Sequence, residues 1–328
     1  MRFQGPVWVA YSLARWKRAP TEMWPIPVGS VLQIDRFSGT PHNRIEPQII
    51  RVVACREVTY PPRAVYRRVG VASTFSPRFL AVLAEARRIG RLFDTSLELI
   101  HADAYDVEKE QRFRDALERL DLDRNTPIHF RAGEPARAIL EVREAAGIDL
   151  LVAGALERES VHRSFTGNVA RELLRQAPCD LFLFIEPKEE PGVFEHLYVT
   201  MPDASEFSRL VYHRALDLAE QAGAQTLTLL HVQTTFAEAK EKASGSPATE
   251  DALKALVTER QSDKVELDYH LVRGNTGFTA FEFIQSSGSD LLVMPSQFIS
   301  PNHPVFAPVL DWIIQVIPTN LWVIREVA

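Results

Sequence analysis

The segment Asp149-Leu150-Leu151-Val152-Ala153-Gly154 recurs 141 positions later as Asp290-Leu291-Leu292-Val293-Met294-Pro295, and the glycines that precede the two copies, Gly133 and Gly274, are separated by the same interval. Whatever this chain folds into must be buildable twice. Leu97-Glu98-Leu99-Ile100-His101 likewise matches Leu227-Thr228-Leu229-Leu230-His231 at an interval of 130, and residues 128–133 match 269–274 at 141. The 11-residue difference falls within residues 234–262, whose centre, Ala243-Ser244-Gly245-Ser246-Pro247, has the composition of an exposed loop between helical pieces. A period this long denotes tandem domains and not a solenoid of short units. It predicts an extension over residues 1–62, a first domain over 63–190 and a second over 191–328.

Each copy reads as alternating strand and helix. In the first, strands are expected at Val69–Ala72, Leu97–Ala102, Ile128–Arg131, Asp149–Ala153 and Leu181–Ile185, with helices at Pro77–Ile89, Val107–Leu120, Pro135–Ala146 and Phe165–Gln176. Such alternation implies a parallel sheet with helices on both faces. Strands such as Leu150-Leu151-Val152, apolar at every position, fit a sheet covered on both sides. The fold class is therefore α/β: two tandem doubly wound parallel-sheet domains behind a Pro-rich basic extension.

Composition bounds the remaining choices. With 46% hydrophobic residues among 328, the chain can bury two cores of ordinary size, which excludes the disordered and collagen-like classes. No apolar run reaches the roughly 20 residues that a membrane-spanning helix needs. The short run Pro6–Ala14 precedes its basic cluster, Arg15, Lys17 and Arg18, which is the reverse of a secretory signal. Cys55 and Cys179 make no metal or redox spacing, so a reduced, cytoplasmic setting is expected, with Cys179 as inert packing.

The net charge of −6 is unevenly distributed: residues 1–68 hold 11 Lys or Arg against 4 Asp or Glu, a net of +7 that leaves −13 for the rest. Residues 1–62 also contain 8 of the 21 prolines, which disfavours long helices there. Two uses are open for this stretch, packing on the acidic domains or a basic arm that meets an anionic partner or membrane surface.

In an open parallel sheet ligands bind beyond the carboxyl ends of the strands, so the turns after the first and fourth strands of each copy are the candidate sites. In the first copy the fourth strand runs into Gly154, and Gly167-Asn168 opens the next helix. Glycine lets backbone approach a ligand closely, and free amides at a helix start suit an anion. The order Asp149-Leu150-Leu151-Val152-Ala153-Gly154, Glu157, Gly167-Asn168 and Ala177-Pro178-Cys179 resembles the signature of universal stress proteins. That resemblance covers residues 63–328 and implies the adenine nucleotide alpha hydrolase-like fold. It also implies a glycine motif that wraps ATP phosphates, an Asp at the end of the first strand that contacts the nucleoside, and association of the two domains through their last strands into a pseudo-dimer.

Carried over residue by residue, the motif is incomplete. Gly154 and Gly167 match, but Glu157 replaces a second glycine, Asn168 replaces a hydroxyl residue, and Ser73 is taken to stand at the nucleoside-contacting position. In the second copy Asp203 and Ser205 are kept, while the phosphate turn reads Pro295, Phe298 and Pro308-Val309, each proline removing an amide. Asp203 is expected to cap the helix that begins near Glu206. The candidate binding residues are thus Ser73, Ala153, Gly154, Glu157, Gly167, Asn168, Asp203 and Ser205, with ATP or AMP as the ligand expected in the first domain.

The paired histidines His101/His231 and His129/His270 follow from duplication. No zinc-like cluster, nucleophile elbow or Walker lysine is present, so neither a catalytic nor a metal residue is expected. Three readings stand: a stress-associated regulatory protein with degraded ATP sites that works by binding a small molecule or protein; an adenine-nucleotide sensor using domain 1; and a cytosolic regulatory module for a membrane transporter. None of them calls for nucleic acid.

Overall fold

Val69 and Val71 face one side of the first strand and Gly70 and Ala72 the other, and the same alternation in every neighbouring strand requires helices on both faces. The computed structural model describes residues 66–155, 168–233, 235, 238–239, 249–274, 277–298, 304–305 and 319–327. The chain divides into two units, 1–63 and 64–328, and all described residues belong to the second. The proposed basic arm and Cys55 lie outside them.

The first repeat runs β1 (Arg68–Ala72), α1 (Phe79–Leu92), β2 (Ser96–His101), α2 (Val107–Arg119), β3 (Ile128–Phe130), α3 (Pro135–Ala146), β4 (Leu150–Gly154), α4 (Asn168–Gln176) and β5 (Asp180–Phe184). The second runs β6 (His196–Thr200), α5 (Glu206–Ala222), β7 (Thr226–Gln233), α6 (Thr249–Glu259), β8 (Glu266–Arg273), α7 (Gly277–Ser286), β9 (Leu291–Phe298), β10 (Pro304–Val305) and β11 (Asn320–Val327). Helix starts follow local chemistry. Asp106 caps α2 by accepting from the amides of Glu108 and Lys109, and Glu134 caps α3, whose first residue is Pro135. Gly147 after α3 and Gly288 after α7 take left-handed φ values of 66° and 68°, a conformation that favours glycine, and each leads into one copy of the repeated hexapeptide.

Ten strands lie side by side in the order β3-β2-β1-β4-β5-β11-β9-β6-β7-β8, and β10 pairs antiparallel with β9. Read from either edge, the order within a repeat is the same. Strands are parallel inside each repeat, and the repeats join where β5 meets β11 antiparallel, Phe182 opposite Trp322. The two cores are not one per repeat. One layer packs α1, α2, α5 and α6 against one face of the sheet, the other packs α3, α4 and α7 against the opposite face, and both layers run across the junction.

The repeated aspartate holds the sheet together. Asp149 accepts from the amides of Arg67 (2.9 Å) and Arg68 (3.0 Å), and its own amide donates to the carbonyl of Arg68. Asp290 does the same with Glu195 (2.8 Å), His196 (2.9 Å) and the carbonyl of His196. Each carboxylate thus satisfies amides at the entry to the first strand of its repeat, groups that would otherwise lack partners.

The junction carries a buried polar cluster. Asp180 accepts from Tyr66 Oη (2.5 Å), Arg214 Nη2 (2.7 Å) and the amide of Arg325 (2.7 Å), while Trp322 Nε1 donates to Tyr66 Oη (3.0 Å). Burial pushes the Tyr66 phenol well above its ordinary range, against the pull of the Arg214 guanidinium. Asn320 mirrors Asp180 across the junction, its Oδ1 accepting from the amide of Ile185 (3.0 Å).

Candidate functional site

At the carboxyl ends of β1 and β4 the sheet opens into a cavity of about 270 Å³, walled by α1 on one side and by α3 and α4 on the other. Ser73, Ala153 and Gly154 line it. Ser73 is buried at the end of β1, its amide donating to Ile100 O (2.9 Å) and its hydroxyl to Val71 O (3.1 Å). Ala153 sits between Ala72 and Leu183 in the sheet, and Gly154 ends β4. A Cβ at Gly154 would lie 2.7 Å from Val82 Cγ2 on α1, so the packing of helix on strand favours glycine here. Asn168 is the first residue of α4, and Val169 and Ala170 of its first turn line the cavity. Glu157 and Gly167 lie outside the described residues.

Asp203 and Ser205 are not among the lining residues; they belong to the matching turn of the second repeat. The expectation that Asp203 caps α5 is corrected. Ser205 is the cap, its Oγ accepting from the Ser208 amide (3.2 Å), whereas Asp203 Oδ1 accepts from the Ser205 amide (3.0 Å) and from Ser208 Oγ (2.7 Å). Partial burial would raise the Asp203 carboxyl, but the bonds from Ser205 and Ser208 outweigh it and hold the group below its usual range.

Strand register also corrects the position given to Ser73. Ser73 N donates to Ile100 O as Met201 N donates to Leu230 O, and Ala72 pairs with Ile100 as Thr200 pairs with Leu230. Counting on from these matched residues, the counterpart of Asp203 in the first repeat is Phe75. Its ring packs on Phe113 (4.5 Å between centroids) and Phe79 (5.6 Å), with the Arg112 guanidinium 3.9 Å above it. No carboxylate stands at that place in the first repeat.

The second repeat departs differently from expectation. Pro295 and Phe298 do not form a turn: β9 continues through both, paired with β11 as far as Val327 opposite Phe298 and, at Gln297 and Phe298, also with β10. Pairing with β6 ends at Val293, so among the described residues the strand is unpaired on one side at Pro295, the setting in which a strand accepts proline. Pro308 and Val309 lie outside the described residues.

Several cavity residues carried no motif. Arg78 follows the first turn and donates Nη1 to Ile185 O (2.9 Å). His101 places Nδ1 3.0 Å from Ser73 O, and since a carbonyl only accepts, the ring donates from Nδ1. His231 repeats this contact with Met201 O at 3.0 Å. Among the described residues His101 Nε2 is buried without a hydrogen-bond partner, its ring surrounded by Phe75, Phe113 and Phe130. The other histidine pair diverges: His129 Nε2 lies 2.7 Å from Glu98 Oε2, while His270 stacks on Phe283. Helix α4, which opens on the cavity, is held at its other end by the second repeat, where buried Arg325 donates to Leu174 O. Burial lowers the Arg325 guanidinium to about 10.

The sequence profile of the Universal stress protein family matches residues 101–184 and 199–325. The chain belongs to this family. In the first repeat the match begins at His101, after the turn that contains Phe75, whereas in the second it begins at Val199, before Asp203. Solved structures share the universal stress fold at low identity. A functionally unknown protein from Pseudomonas aeruginosa PAO1 is 14% identical with a TM-score of 0.61, over 80% of this chain and 94% of that one. A universal stress protein from Archaeoglobus fulgidus DSM 4304 is 12% identical with a TM-score of 0.53, over 78% and 98%. No curated protein matches the chain. Among the described residues no helix is long and apolar enough to cross a membrane, and no group of three His, Cys, Asp or Glu side chains could hold a metal ion.

Proposed function

We propose that this universal stress protein is a regulatory protein that works by binding a small molecule in its first repeat, with the second repeat serving as the scaffold that holds α4 in place. The observation that carries the reading is the cavity between the carboxyl ends of β1 and β4, set against β9, which at the matching place in the second repeat runs on as paired strand. An adenylate is a second reading. The start of α4 favours it, since its first-turn amides beside Gly154 suit a phosphate.

The test is mass spectrometry of small molecules released on denaturing the purified protein, with calorimetric titration of AMP, ATP and a metabolite panel. Ligand at one site per chain, lost in Ala170→Leu, is the expected result. No released molecule and no binding at millimolar concentration would sink the reading.

A further inference from the structure

The cavity of the first repeat has a wall of hydrocarbon and one polar turn. Phe79, Val82, Ile139, Val169, Ala170 and Leu173, contributed by α1, α3 and α4, make the wall, and the hydroxyl residues Ser73, Thr74 and Ser76 are gathered on the turn between β1 and α1. We infer that the cavity takes a small uncharged molecule that is mostly hydrocarbon and carries one hydroxyl or similar neutral polar group: a phenol, an aromatic alcohol or a short aliphatic alcohol. This class rests on the ligand-binding reading above and names the chemistry of the ligand.

Three features point the same way. First, at about 270 Å³ the cavity lies between the roughly 150 Å³ of an apolar cavity that encloses benzene and the roughly 300–1,000 Å³ of pockets that enclose drug-sized ligands, which suits one ring or a short chain. Second, the ionisable side chains of the wall are engaged within the protein. Arg78 donates Nη1 to Ile185 O (2.9 Å) and makes a further interaction besides, so it fastens α1 to the rest of the fold. His101 holds Ser73 O through Nδ1, and its Nε2 is buried beside the rings of Phe75, Phe113 and Phe130. A charged ligand would have to draw Arg78 from contacts it already makes or be desolvated unpaired, whereas an uncharged one asks nothing of it. Third, the turn that carries Asp203 in the second repeat carries Phe75 here, packed on the wall residue Phe79 with 5.6 Å between centroids. A ring or chain laid against this wall removes apolar surface from water on both partners. Ser73 Oγ, which donates to Val71 O, keeps lone pairs that can accept from the ligand's polar group.

The test is titration of the full chain, followed by ligand-observed nuclear magnetic resonance, with benzyl alcohol and 1-hexanol, with their charged counterparts benzoate, benzylammonium and hexanoate, and with AMP and ATP. At least one alcohol is expected to bind about tenfold or more tighter than each of its charged counterparts, because the wall has to strip water from a charge but not from a hydrocarbon. Ala170→Leu, shown to be folded by circular dichroism, should abolish that binding; if it does not fold, the comparison in the parent chain decides alone. A charged counterpart binding as tightly as its alcohol, or alcohol binding that survives in folded Ala170→Leu, would overturn the assignment. Adenylates binding where no alcohol does, or a charged molecule released from the purified protein, would overturn the ligand class yet leave the ligand-binding reading standing. Failure of every probe, together with no released small molecule, would remove both.

Discussion

Trp322 stacks on Phe182 across the antiparallel junction, the two rings 5.1 Å apart at 14°. Both side chains are fully buried, and they form the point at which one sheet becomes common to two repeats. Because both core layers also cross here, the described sheet is expected to unfold cooperatively. Trp322→Ala should cost about 3–5 kcal/mol, the range for deleting a large buried aromatic. Trp322→Phe, which keeps the ring but drops the donor to Tyr66, should cost less. Urea denaturation followed by far-ultraviolet circular dichroism measures both, and equal losses would contradict the packing argument.

Asp149 and Asp290 make the same contacts 141 residues apart, so removing either should have a similar effect. Asp149→Ala and Asp290→Ala should each lose about 1.5–3 kcal/mol, the usual worth of hydrogen bonds to a charged group. Asn at either position keeps an acceptor and should recover part of it. A large loss from only one of the two would show that the clamp is not symmetric.

Cys179 is buried beneath the second core layer, and desolvation raises its thiol to about 11. In a Cys55→Ser background the native chain should therefore resist alkylation at pH 8 and react once unfolded in urea. Rapid native labelling would place Cys179 at the surface.

The Asp203 carboxyl titrates below its unfolded value of about 3.9. Between the two values the unfolded chain binds more protons, so the stabilisation is complete above the unfolded value and is lost as pH falls through the folded one. The effect is small, since the group is only partly buried and is screened by salt. Asp203→Asn should melt below the parent at pH 6, and the gap should narrow as pH drops under about 4. A gap that is constant from pH 6 to pH 3 would exclude ionisation as its cause.

Most of the fold could be read from the chain because central strands such as β4 and β5 are short apolar runs and helices such as α2, α3 and α5 begin at a recognisable cap or proline. The expected bounds of α3 are the observed ones, and α1 starts two residues later than periodicity predicts, after a turn closed by Phe79 N on Ser76 O (3.0 Å). What stayed hidden was register and reach. Ser73 could be matched with Met201 only once both amides were seen on the neighbouring strand, and that moved Phe75 opposite Asp203. Pro295 reads as a turn because proline usually ends strands; only the absence of β6 pairing beyond Val293 shows why the strand survives it. Arg78 has no motif around it, and its place in the cavity comes from α1 packing back onto Gly154. The clamp of Asp149 on Arg67 and Arg68 spans about eighty residues and leaves no local sign.

Asp180 and Asn320 occupy matching places beside the junction and are different residues. If two identical chains met through their last strands, every position near the axis would face its own kind, and any substitution there would be made in duplicate. Covalent linkage removes that constraint. One flank can carry a carboxylate that engages Tyr66 and Arg214 while the other carries a neutral amide, and one strand can stop at Gly154 while its twin runs on to Phe298. A twofold pair of identical chains would have to make both halves alike; a fused pair can make them differ.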